Sequence, residues 1–205
     1  MMPGGELLAS DVSVQSTAPV RVSRTTTVPG TPAQFWTVLA EDPSAWGLWC
    51  PGFSTKSGWV TPGAPAVSSQ RLMHAFGTTF LETILEWEES QRFTFYINRR
   101  GVPGLRRFVE SWSLRPAGNG GDATEATWTM AVESVFPTLI LRHALSVQQR
   151  VMMAIAGRRL AKMLRLDQAL VDRLRVSPAA THAVSTFSGH CVDAYASSPR
   201  IRFLR

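Results

Sequence analysis

Between residues 67 and 134 the chain alternates in stretch after stretch, and at Pro137 the period changes. "FLETILEWEES" sets Leu81, Thr83, Leu85 and Trp87 on one side and Glu82, Glu86 and Glu88 on the other. That is the pattern of a strand half buried in an antiparallel sheet. "VSSQRLMHAF" groups Leu72, His74 and Phe76, and "RFTFYIN" groups Phe93, Phe95 and Ile97. "RRFVESWSL" groups Phe108, Glu110, Trp112 and Leu114, and "ATWTMAVES" groups Trp128, Met130 and Val132. The links are short and "PAGNGGD" is a turn, so the strands follow one another as a meander. After Pro137, Leu141, Leu145, Met152, Ile155, Leu160, Met163 and Leu164 recur at helical spacing. The pattern continues toward Leu174, with Gly157 as the place for a bend. Consecutive strands closed by one long helix make an α+β pattern.

Upstream, "PVRVSRTTTV" alternates Val20 and Val22 with Arg21 and Ser23, a strand signal. Thr31, Pro32 and Gln34 then spell a capping box with proline in the first helical position, predicting a helix over 32–40. Asp42 and Pro43 repeat the signature, and Pro51 and Gly52 stop the second short helix. Trp46 and Trp49 on that helix either plug a core or line the mouth of something hollow. Residues 1–18 read as a flexible leader, 19–175 as one domain, and the Ser/Ala/Pro/Gly-rich 176–205 as a disordered tail.

No apolar window is long enough for a transmembrane helix, and the opening residues show no basic start followed by an apolar run, so no secretory signal is expected. Two cysteines, Cys50 and Cys191, make no disulfide framework and no metal spacing. No metal or cofactor is expected, and a reducing cytoplasm is the default setting. Phosphate-loop, dinucleotide and serine-hydrolase motifs are absent. The charge is lopsided: residues 137–205 carry 11 Lys+Arg against 3 Asp+Glu. The basic helix has no interleaved aromatics and no helix-turn-helix partner, which argues against nucleic acid. It leaves weak contact with a membrane surface open, although if that helix packs on the sheet its apolar face is already used.

Three stretches resemble the polyketide cyclase/dehydrase and lipid-transport families of the START/Bet v 1-like (SRPBCC) superfamily. They are "TTTVPGTPAQFWTVLAEDPSAWGLWCPG", "LETILEWEESQRFTFYI" and "VESWSLRPAGNGGDATEATWTM". The resemblance covers about residues 20 to 166 and rests on structural residues, so it speaks to fold more than to function. It implies a helix-grip fold, a curved sheet wrapped around the C-terminal helix with an apolar cavity between them. It also implies a small hydrophobic ligand, a lipid or polyketide, which some members transform and others only carry.

On the strand faces, Glu110 is the sharpest candidate. Its neighbours Phe108, Trp112 and Leu114 are apolar, so alternation aims a carboxyl at the cavity, where burial raises its pKa and suits it to proton transfer. His74, grouped with Leu72 and Phe76, is a second proton-transfer candidate; a satisfied core or rim histidine is the plainer reading. Thr83, Trp87, Phe93, Phe95, Trp112, Trp128 and Met152 are expected to wall the ligand site; with no cavity, they are simply core. Arg99, Arg100, Arg106 and Arg107 flank "GVPGL", a candidate mouth loop, or a plain solvated one.

Overall fold

In the computed structural model, residues 7–99, 104–118 and 120–176 are described. The mouth-loop residues 100–103, with Arg100, and the tail from residue 177 lie outside them. Residues up to Asp167 form one compact unit; of the second, Gln168–Arg205, only the helix to Val176 is described.

Seven antiparallel strands form one sheet in the order β1-β7-β6-β5-β4-β3-β2. They are β1 (Val20–Pro29), β2 (Gly58–Trp59), β3 (Gln70–Ala75), β4 (Thr78–Glu88), β5 (Arg92–Arg99), β6 (Leu105–Ala117) and β7 (Ala123–Ser134). From β2 onward the meander is unbroken, and β1 closes onto β7. The long helix α4 (Thr138–Val176) lays Leu145, Met152, Met153, Ala156 and Leu160 into the core. Gln149 ties α4 to the sheet by donating to the Trp128 carbonyl at 2.8 Å.

The short helices between β1 and β2 form as their caps require. Thr31 Oγ1 accepts from the Gln34 amide, and Gln34 Oε1 accepts from the Thr31 amide at 2.8 Å, starting α2 (Pro32–Trp36). A π-helical turn, Thr37–Glu41, follows. Asp42 caps the next turn through the Ser44 amide, leading into α3 (Trp46–Trp49). Carbonyls of the π turn are taken by indoles: Trp46 Nε1 donates to Leu39 O (2.7 Å), Trp49 to Val38 O (3.1 Å) and Trp59 to Glu41 O (2.8 Å). Trp46 and Trp49 are both fully buried, in contact with Phe35, Phe53 and Trp112. They plug one end of the sheet, the first of the two alternatives, and neither is among the residues that line the cavity described below.

Two strand phases also differ from the sequence reading. On β3 the inward residues are Arg71, Met73 and Ala75, so Leu72 and His74 face the other way. Both phases of this strand carry similar apolar content, and alternation alone could not choose. On β4, Glu82 and Ile84 point inward and Thr83 outward. A bulge at Leu85 then adds one residue against β5, where Ile84 pairs with Phe95 but Glu86 pairs with Thr94. An extra residue inverts the phase, so Trp87 returns to the core beside Trp36 and Phe93.

Part of the segment read as a leader packs on the outer face of the sheet. A short helix, α1 (Val14–Thr17), sets Val14 against Val109 and Ala131. Gln15 bonds to Thr94 and Ser111. β5 and β6 pair only from Arg92↔Ser113 to Tyr96↔Val109. Where they part, Leu7 donates to the Asn98 carbonyl (3.2 Å) and Leu8 to the Arg106 carbonyl (2.9 Å), bridging the gap.

Candidate functional site

Between the sheet and the first half of α4 lies a cavity of about 540 Å³. β4 contributes Thr78, Phe80 and Glu82, β5 Ile97, β6 Leu105, Phe108 and Glu110, and β7 Trp128 and Val132. α4 closes it with Leu141, Leu145, Gln148 and Met152, and Phe53, Phe76 and Phe136 also line it. The volume falls in the range of small-molecule sites, and so does the composition, apolar with a few polar groups.

The inner end is built from strand register. Glu110 sits opposite Phe95 on β5 and Met130 on β7. Trp128, two pairs along and so on the same face, stacks on its partner Trp112 with the rings 5.2 Å apart and nearly parallel. The Trp128 indole donates to Glu110 Oε2 at 2.8 Å. No other side-chain hydrogen bond reaches Glu110 among the described residues. Burial pushes its carboxyl up to about 8, and the nearby Glu82 charge adds to the shift. Near neutral pH the group is therefore largely a neutral acid that can donate a hydrogen bond into the cavity.

Beside it is a feature that sequence reasoning missed. Arg71 Nε donates to Glu82 Oε2 at 2.7 Å, an ion pair with both side chains buried. The guanidinium lies over the rings of Trp46, Phe93 and Phe95 at 4.6–5.2 Å and also reaches the Leu39 carbonyl. Burial raises the Glu82 carboxyl, and Arg71 draws it back down. The signal was present as a cross-strand Arg/Glu pair, but Glu82 sits in a run of acidic residues that reads as a solvated face.

The candidate residues divide accordingly. Glu110, Trp128 and Met152 line the cavity. Phe93, Phe95 and Trp112 are inward but fully packed core, and Trp87 joins their aromatic cluster. Thr83 lies on the outer face, bonded by Gln70 and Asn98. His74 is also outside, its ring Nδ1 3.3 Å from the Thr79 hydroxyl, so it is far from any chemistry in the cavity. Arg106 and Arg107 both pair with Glu133.

The rim holds a strained residue. Phe76 turns the β3–β4 hairpin at φ 51°, a left-handed conformation uncommon for a bulky side chain. Its ring packs edge-on to Phe53 and presses on Gly52, where a Cβ would collide with it. The Phe76 side chain thus borders the cavity while remaining 56% exposed.

A curved antiparallel sheet gripping a C-terminal helix over an apolar cavity defines the helix-grip class of domains. The chain belongs to the polyketide cyclase/dehydrase and lipid transport family, whose model matches residues 19–166. No curated protein matches the sequence significantly. Among solved structures, it is similar to a START superfamily protein from Mycobacterium smegmatis (19% identity, TM-score 0.56, covering 70% of this chain and 98% of that one). It is also similar to a protein from Nitrosospira multiformis (20%, TM-score 0.55, 71% and 99%). A third is the di-domain ARO/CYC BexL of the BE-7585A biosynthetic pathway (13%, TM-score 0.58, 68% and 46%). At these identities the likeness concerns the fold alone.

Proposed function

We propose that the protein binds a small hydrophobic ligand, a lipid or a polyketide-like molecule, between the sheet and α4. The observation that carries this reading is the apolar cavity of about 540 Å³, kept open beside a core that is otherwise densely packed with aromatic rings. Its polar groups are few, with Glu110, Glu82, Gln148 and Thr78 among them, as expected of a site that selects by shape and orients by one or two hydrogen bonds. Native mass spectrometry of protein purified from its host should reveal a bound small molecule. A ligand-free protein that takes up nothing from a broad lipid and polyketide panel would sink the proposal.

A second reading, proton-transfer catalysis on a polyketide-like substrate, is favoured by one observation: Glu110 is a cavity carboxyl with a pKa of about 8, suited to general acid–base work. In this reading Glu110 acts without His74. Turnover by Glu110→Gln equal to that of the unaltered protein removes it.

A further inference from the structure

We propose that the outward face of α4 docks the protein on a membrane surface carrying anionic lipid. The side of α4 that grips the sheet is used by Leu145, Met152, Ala156 and Leu160. The helix has a second apolar stripe on the opposite side. Ile140, Ala144, Val147, Val151 and Ile155 recur at steps of four, three, four and four residues, which keeps them on one face. All are exposed, Ile140 by 67%, Val147 by 44% and Val151 by 52%. Single exposed apolar residues are ordinary on a soluble surface, but an aligned row marks an interaction site.

Charge selects the occupant. From Thr138 through Leu166 there is no Asp or Glu, while Arg142, Arg150, Arg158, Arg159 and Lys162 are all exposed. A second copy packed stripe to stripe would set cation against cation. The chain's own residues 177–205 carry three Arg and one Asp, and so complement the stripe no better. An anionic headgroup layer satisfies both halves of the pattern: apolar side chains enter the acyl boundary and arginines meet phosphates. No helix among the described residues is long and apolar enough to cross a bilayer. The row begins at the cavity: Phe136 and Leu141 line it, and Leu139, 77% exposed, stands between them in sequence. Docking goes beyond ligand binding and does not depend on what the cavity holds.

The test is flotation of the full chain with phosphatidylcholine vesicles, with and without phosphatidylglycerol. The protein should float with the anionic vesicles, and high salt should release it. The double variant Val147→Glu/Val151→Glu should partition at least about tenfold less, with an unchanged thermal midpoint. Should that variant fail to fold, Arg150→Gln/Arg158→Gln should lose the preference for phosphatidylglycerol instead. Equal partitioning of folded variant and parent, or no flotation of the parent, overturns the proposal. So does a dimer in sedimentation velocity that Val147→Glu/Val151→Glu disperses, which would give the stripe to a second copy. Ligand uptake is a separate readout: a chain that floats yet binds no ligand refutes the cavity reading and leaves docking standing.

Discussion

With its pKa near 8, the Glu110 carboxyl keeps a proton in the folded protein that the unfolded chain, near 4.5, has already released. The folded state binds more protons between those values, so stability is greatest below the lower one and falls as pH rises through the window. The slope for one such group is about 1.4 kcal/mol per pH unit. Glu110→Gln removes this dependence while retaining a partner for the Trp128 indole. Urea denaturation from about pH 5 to about pH 8.5 should show the variant gaining on the parent as pH rises, then a constant difference. Arg71 and Glu82 predict the opposite of tolerance. Either Arg71→Met or Glu82→Leu leaves the other buried charge without its partner and should cost about 3–5 kcal/mol, whereas Arg71→Met/Glu82→Leu together should cost much less. A double-mutant cycle in denaturant reads the difference; additive losses would mean that the two groups are not coupled.

The elements show what periodicity can and cannot deliver. The capping box at Thr31, the meander and the long helix were legible because each is encoded within a few neighbouring residues. The inner faces of β5, β6 and β7 were legible too, since aromatics and aliphatics leave only one sensible phase. β3 and the first half of β4 were not. Their inward residues include Arg71 and Glu82, which become acceptable inside only when they meet across the strands, and the bulge at Leu85 inverts the phase with no local signature. The cavity wall was misjudged for a related reason. Phe93, Phe95 and Trp112 do point inward, but the plug of α2 and α3 fills the space in front of Phe93 and Trp112, Arg71 covers Phe95, and side-chain period says nothing about what lies opposite. That plug depends on the π turn, whose carbonyls the indoles satisfy. Trp46→Phe keeps an aromatic ring and drops the N–H that Leu39 accepts while the Arg71 guanidinium still reaches that carbonyl, so the expected cost is that of one hydrogen bond, about 0.5–1.5 kcal/mol by thermal or urea unfolding. An unchanged midpoint would mean that the turn finds another donor.

For the molecule as a whole, the cavity is unfilled core, and the apolar packing it forgoes is stability the ligand-free protein lacks. Val132, buried on the cavity wall, offers a direct test. Val132→Phe should raise the ligand-free unfolding free energy by about 1 kcal/mol and lower ligand uptake, both measurable on one preparation. Destabilisation instead would show that the wall cannot admit the ring. The extended segment at Leu7 and Leu8 bears on a different quantity. It stands where β5 and β6 part, beside strands whose Ile97, Leu105 and Phe108 face the cavity. It bonds to the seam of the container, and neither Leu7 nor Leu8 is among the lining residues. Removing residues 1–8, which leaves α1 in place, should therefore alter how fast a ligand exchanges more than how tightly it is held. Stopped-flow displacement of a fluorescent fatty acid is expected to show entry and exit accelerating together, with the equilibrium constant nearly unmoved. The first residues of the chain would then act as a timer on occupancy, set by two backbone hydrogen bonds.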